Sequence, residues 1–158
     1  MAKITLNFDS ADMQNAIKKI KKLESIDKKR TKILSLLRSS AKPLVTALKA
    51  AAPVSSAPHK IRSADGKRTV APGNLKRSFG VIRSRNRRKA EIFVGAKAGK
   101  KGKKDDGFYA NMVDGGHVMP NGKTAAPNPF ILKTVAAYGG RVKLKITNGM
   151  RRFIESEL

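Results

Sequence analysis

Cysteine and tryptophan are both absent from the 158-residue chain. The first absence excludes a disulfide framework and every thiolate-based zinc or redox motif, and it suits a reducing cytosol. Aromatics are scarce: six Phe and two Tyr make 5% of the residues, so a core must be mainly aliphatic and each aromatic has a packing role to fill. No apolar run reaches the roughly 20 residues that a membrane-spanning helix needs, so no membrane partner is expected. The opening MAKITLNFDS lacks the apolar region of a secretory signal. Carboxylates are few as well, with 11 Asp+Glu against 35 Lys+Arg and a net charge of +24. The length is that of one domain, residues 1–158, large enough for a real core.

Such an excess of positive charge repels itself, and it points to a polyanion or an acidic partner. The plainer reading is a solubilised surface. The cations are unevenly spread, with twelve in residues 1–52, sixteen in 53–104 and only seven in 105–158. The positive field therefore belongs to the N-terminal helices and the middle loops, and the C-terminal third is left comparatively neutral, as a packing surface would be.

In the segment 1–52, Lys3 to Phe8 alternates polar and apolar, the period of a half-buried strand. Asp9-Ser10 then offers an N-cap to an amphipathic helix with Met13, Ile17, Ile20 and Leu23 on one stripe. Asp27 is placed to cap a second helix, whose apolar positions run through Ile33, Leu36, Leu37, Leu44, Val45 and Leu48. Pro43 within it is expected to kink or split the helix, and Pro53 ends it. Residues 53–73 are rich in Pro, Ser, Gly and cations and read as a long basic loop, with His59 a lone loop residue. From Asn74 the alternation of Leu75, Arg77, Phe79 and Val81 reads as a strand. It pairs with Ala90–Gly95 in a hairpin spanning 74–95, whose tip is basic. Residues 96–107 read as a flexible Lys/Gly flap.

The stretch 108–158 opens on the most specified segment of the chain, Phe108 to Leu132. Gly115-Gly116 permits a sharp reversal. Pro127-Asn128-Pro129 then stiffens the approach to Phe130, which predicts a rigid double bend presenting one aromatic from a fixed direction. A short helix from Leu132 to Tyr138 is expected to break at Gly139-Gly140. Beyond it, Val142, Leu144 and Ile146 fit either a strand or a helix continuing through Met150, Phe153 and Ile154.

No motif for chemistry survives inspection. Gly122-Lys123-Thr124 invites a P-loop reading, but the required earlier glycine is displaced by one position to Gly116. His59 and His117 lie far apart, and Asp114 with His117 lacks a third metal ligand. No nucleophile signature is present. No catalytic residue, metal ligand or cofactor site is predicted, and an enzyme is not expected. For phosphate contact the candidates are Arg83, Arg85, Arg87, Arg88 and Lys89 on the hairpin tip and Lys100, Lys101, Lys103 and Lys104 on the flap, contacts that would be electrostatic and sequence-independent.

Five local patterns occur in order: Ala51-Ala52-Pro53-Val54; Gly73-Asn74-Leu75-Lys76-Arg77-Ser78-Phe79; Phe93-Val94-Gly95; Tyr109-Ala110 with Val113-Asp114-Gly115-Gly116-His117; and Ala126-Pro127-Asn128-Pro129-Phe130-Ile131. Over roughly residues 41–138 the chain resembles the small tail-component family of long-tailed phages and prophages, the neck or tail-completion proteins of the head–tail junction. Members of that family read as a helix ending in A-P-V, then T-G-x-L-+-x-S-(I/F). A strand ending in V-G follows, then Y-A-x-x-(V/L)-E-x-G-(T/H), and P-F-(L/I) at the start of the last helix. The chain departs from this pattern in three places. Seventeen residues, Ser55 to Ala71, separate the first two motifs, with Pro72 in place of Thr. The flap 96–107 is longer, and Asp114 stands where Glu is common.

The expected fold is α+β, with N-terminal helices packed on a small, mainly antiparallel β-sheet, a C-terminal helix and long basic loops. The resemblance implies a structural virion protein forming a homo-oligomeric ring, hexamer or dodecamer, around the DNA channel where tail joins head. Its partners would be connector or stopper proteins, tail terminator or tube proteins, and viral DNA. It would be made in the host cytoplasm during virus assembly. Leu75, Phe79, Gly95, Tyr109, Val113, Asp114, Gly115, Gly116, Pro129 and Phe130 would fix packing or buttress the subunit interface. The alternative, resting on charge alone, is a free, sequence-nonspecific nucleic-acid-binding protein.

Overall fold

A computed structural model describes residues 26–63, 66–86, 89–98, 107–118 and 122–156, with backbone alone at 26–28, 59–63 and 66–68. The strand expected at Lys3–Phe8 and the helix expected at Asp9–Leu23 lie outside the described residues. Among the described residues, four helices and three two-stranded antiparallel pairs follow one another in an α+β arrangement. They are α1 (Ile26–Ala51), β1 (His59–Ser63), β2 (Gly66–Val70), α2 (Asn74–Ser78), β3 (Phe79–Arg83), β4 (Ile92–Ala96), α3 (Ala110–Gly115), β5 (His117–Val118), β6 (Thr124–Ala125) and α4 (Phe130–Glu155). The small sheet is thus three separate pairs, β1–β2, β3–β4 and β5–β6.

Helix α1 is the centre of the packing: it lies along α4 on one side and against α2 and the β3–β4 hairpin on the other. Its buried positions, Ser40, Ala41, Leu44, Leu48 and, just past its end, Ala52, recur every three or four residues, as one face of a 3.6-residue period must. On α4 the matching stripe is Ile131, Thr134, Val142, Ile146, Gly149 and Met150. Two 26-residue helices pressed together this way account for much of the apolar area removed from water. A Cβ at Gly149 would collide with Leu36, so the glycine sets how closely α1 and α4 approach.

Five expectations are corrected. Pro43 does not divide α1, which runs unbroken from Ile26 to Ala51. The proline stands exposed, so the carbonyl that its ring deprives of a partner faces water, while Ala41 and Leu44 on the opposite face hold both halves to the core. Asp27 falls inside the first turn of α1 and is not placed ahead of it. Gly139-Gly140 does not end α4, and neither a break nor a strand follows. The buried stripe resumes at Val142, and its burial outweighs the cost of about 1 kcal/mol that each helical glycine carries.

The strand read from Asn74 begins only at Phe79, because Asn74–Ser78 is a helical turn. Gly73, at φ 72°, turns the chain into it, the Arg77 amide donates to the Gly73 carbonyl at 3.0 Å, and the Ser78 hydroxyl donates to the Leu75 carbonyl at 2.7 Å. Asn74, Leu75 and Ser78 are therefore buried at helical spacing. The region 53–73 is not a structureless loop. It contains the β1–β2 hairpin, in register from His59 opposite Val70 to Ser63 opposite Gly66.

The β3–β4 hairpin pairs Phe79 with Ala96, Val81 with Val94 and Arg83 with Ile92. The flap's two ends are tied together: the Lys97 amide donates to the Ser78 carbonyl at 2.9 Å and the Gly107 amide to the Lys97 carbonyl at 2.8 Å. Its middle, 99–106, lies outside the described residues. Gly107 is buried where a Cβ would meet the Ser78 hydroxyl, the Ser78 Cβ at 2.8 Å and the Ala96 Cβ at 2.6 Å. These are rigid atoms on two elements, so this crossing admits only glycine.

Gly107→Ala is expected to lose about 1–3 kcal/mol of unfolding free energy through overpacking. Gly140→Ala, where a Cβ would meet nothing within 4 Å, should gain about 0.5–1 kcal/mol from helix propensity. Urea titrations of both variants decide this; equal effects would mean the flap is not closed at Gly107. Ser40 is completely buried, and its hydroxyl has no hydrogen-bond partner among the described residues. Ser40→Ala should therefore raise the urea midpoint, by an amount equivalent to about 1 kcal/mol.

Candidate functional site

The segment Gly107–Ile131 folds into one locked bend. The Ala110 amide donates to the Gly107 carbonyl at 3.0 Å, the Val113 amide donates to the Tyr109 carbonyl at 3.1 Å, and α3 follows. Tyr109 is buried, its hydroxyl accepting from the Asn74 side-chain amide at 3.4 Å, and its ring meets Phe108 edge-on at 5.6 Å. Gly116, at φ 74° and ψ 167°, reverses the chain, and a Cβ there would lie 2.7 Å from the Ala125 carbonyl oxygen. Both the backbone angle and the close approach call for glycine. The β5–β6 pair then brings the chain back, and the Asn128 amide donates to the Val113 carbonyl at 3.1 Å.

Pro129, at φ −75°, precedes α4 and delivers Phe130 edge-on to Phe79, with ring centroids 5.8 Å apart and planes at 88°. That geometry suits the aromatic quadrupole. A proline side chain cannot cap the amides it precedes. The cap comes instead from α3: Asp114 Oδ1 accepts from the Ile131 amide at 2.9 Å. A carboxylate at this end also meets the positive end of the α4 macrodipole.

Of the residues singled out for packing or interface, the bend gathers Leu75, Phe79, Tyr109, Val113, Asp114, Gly116, Pro129 and Phe130 around one junction. Gly95 stands apart, buried in β4 opposite Gly80, and Gly115 is the exposed last residue of α3 with nothing near its Cβ position.

The chemistry available here is limited. Asp114 is committed to an amide, and His117 is exposed with Nδ1 3.2 Å from the Met112 carbonyl oxygen. Among the described residues no group of three or more His, Cys, Asp or Glu could hold a metal ion. Gly122-Lys123-Thr124 leads into β6 and not into a helix N-terminus, so its amides are not arranged to cradle phosphate. Among the described residues no helix is long and apolar enough to cross a membrane.

Of the basic candidates, Arg83, Arg85 and Lys89 are exposed around the end of the β3–β4 hairpin. Arg87, Arg88, Lys100, Lys101, Lys103 and Lys104 lie outside the described residues. The sequence reading missed the Asn74–Tyr109 contact and the long-range Asp114 cap, for which no local pattern exists. It also missed the β1–β2 hairpin, whose two short strands, His59–Ser63 and Gly66–Val70, lie in a stretch read as loop because of its Pro, Ser and Gly content.

Asp114→Ala should cost about 0.5–2 kcal/mol, the range for a lost N-cap, and Asp114→Asn clearly less, because an amide oxygen still accepts. Chemical denaturation separates the two; an equal loss would assign the role to charge alone.

Comparisons of the chain with family models, with curated proteins and with solved structures returned no match.

Proposed function

We propose that this chain is a structural virion protein of the phage head–tail junction. In this reading it is not an enzyme, and it forms a homo-oligomeric ring around the DNA channel during tail completion. The observation that carries the reading is the order of the five motifs from Ala51 to Ile131. Several of their residues, far apart in sequence, meet at the bend where Phe130 sits on Phe79 and Asp114 caps α4. A ring needs heterologous contacts whose rotation closes, which lets one modest domain build a channel. Val54, Met112, Val118, Leu132 and Leu144 are large apolar side chains left exposed, surface of the kind that neighbouring subunits or the proteins above and below would cover.

In this reading the hairpin-end cations Arg83, Arg85 and Lys89, with Arg87 and Arg88 between them in sequence, face the lumen. Duplex DNA then slides past non-specific charge. The second reading, a free nucleic-acid-binding protein, is favoured by the net charge of +24 and needs no self-association.

Multi-angle light scattering of nucleic-acid-free protein at moderate and high salt separates them. The ring reading expects a discrete multiple of 17.2 kDa, either alone or when connector or tail proteins are added. A monomer that ignores every such protein yet shifts onto any DNA offered would support the second reading. Within the ring reading, changing Arg85, Arg87 and Arg88 to Glu should reduce DNA retention in particles. Unaltered retention would remove the lumen placement.

A further inference from the structure

We infer that the β1–β2 hairpin is a duplex-DNA-binding arm, gripping phosphates with one face of a two-stranded ribbon. The inference rests on the DNA-contacting part of the reading above and is independent of ring formation. The two strands pair with each other over their full five residues. A basic stretch that would otherwise be a loop is thus held about 17 Å long as an extended ribbon.

The register assigns the faces. Lys60 is opposite Thr69 and Arg62 is opposite Lys67, so by register these four positions belong to one face of the ribbon. His59, Ile61, Arg68 and Val70 share the other. At the base of the ribbon Thr69 is exposed and Val70 is buried, so the face to which Thr69 belongs is the solvent face there. Three cations and one hydroxyl residue occupy that face, and neither strand contains a carboxylate.

Like charges directly opposite across an antiparallel pair destabilise it. Arg62 opposite Lys67, with Lys60 on the diagonal, is therefore a poor choice for a ribbon that only has to fold. It is a good choice for one that meets a line of negative charge. The occupant follows from the composition of the face. A protein interface needs an apolar or aromatic anchor at its centre, and this face has none. A single strand needs aromatic platforms on which to stack bases, and the ribbon has no Phe, Tyr or Trp. A duplex needs only cations at phosphate spacing, and its major groove, about 12 Å wide, admits a two-stranded ribbon. Lys60 and Arg62 lie about 7 Å apart along their strand, within reach of successive phosphates. Binding would be sequence-independent.

The test is the salt dependence of binding by the full chain to a mixed-sequence 25-base-pair duplex, followed by fluorescence anisotropy. Lys60, Arg62 and Lys67 are changed together to Gln. A control changes the exposed Lys133, Lys143 and Lys145 of α4 to Gln, removing the same charge. The ribbon variant should lose about one unit of log K against log salt per residue, about 2–3 in all, and the control less than one. Thermal melting of the ribbon variant should be unchanged or higher, since an unfavourable charge pair is gone. Equal slope losses in the two variants would overturn the arm, leaving bulk charge as the cause. So would an unaltered slope in the ribbon variant. Loss of poly-glutamate binding with duplex binding intact would also overturn it, giving the ribbon an acidic protein as partner. A monomer in light scattering that keeps the slope difference would remove the ring and leave the arm standing.

Discussion

A helix that begins at a proline has no side chain at its own N-cap able to accept from its first amides, and α4 is such a helix. Its N-terminus is secured by Asp114, which accepts from the Ile131 amide, and by Phe130, which stands edge-on against Phe79. These two contacts lie on different elements: one reaches back to α3, the other to the start of β3. Asp114 is the fifth residue of a six-residue helix, so its reach to α4 goes with the turn at Gly116 and the Asn128 amide bonded back to Val113. The bend and the helix therefore depend on each other. Once the N-terminus is placed, the stripe from Ile131 to Met150 falls along α1, and the Gly149–Leu36 contact sets the distance between the helices.

This dependence explains which parts of the fold were legible in the sequence. The proline entry to α4, the glycine reversal and the β3–β4 pairing each rest on a local rule about proline, glycine or β-branched content; all three are present, though α4 begins at Phe130 and not Leu132, and β3 at Phe79 and not at Asn74. The errors share a different cause. Leu75 and Arg77 alternate as well in a strand as in a coil, and only Gly73 at φ 72° and the Ser78 hydroxyl bond, visible in three dimensions, turn that stretch into a helix. Gly139-Gly140 and Pro43 are breakers by propensity, but propensity of about 1–3 kcal/mol loses to a stripe of buried side chains on both sides. The Asp114 cap could not be read at all, since it joins positions that no spacing rule connects.

Net charge looks at first like a property of the whole surface, but the fold partitions it. The core junction where Phe79, Tyr109, Phe130 and Ile131 meet contains no cation, and its one carboxylate, Asp114, is spent on an amide. By sequence, nine of the sixteen cations of residues 53–104 fall within the two hairpin segments 59–70 and 79–96. One, β3–β4, is packed on α1 through Phe79 and Val94 and carries Arg83 at its far end. The other is β1–β2, whose last residue, Val70, is buried in the core.

The two hairpins place different demands on folding. β3–β4 repays its backbone ordering with buried apolar side chains, so its cations are passengers on a stable element. In β1–β2 the buried residue at the base is Val70, and the register sets Arg62 opposite Lys67. A two-stranded ribbon is marginal by itself in water, and like charges across it make it more so. An element of this kind is stabilised most by whatever neutralises it, since a ligand that binds only the ordered form adds its binding free energy to that form. Ordering and binding are then one equilibrium. The same unfavourable charge pair that weakens the free ribbon would make it responsive to a polyanion under the proposed reading, whereas the Asp114–Phe130 junction is held by contacts within the chain.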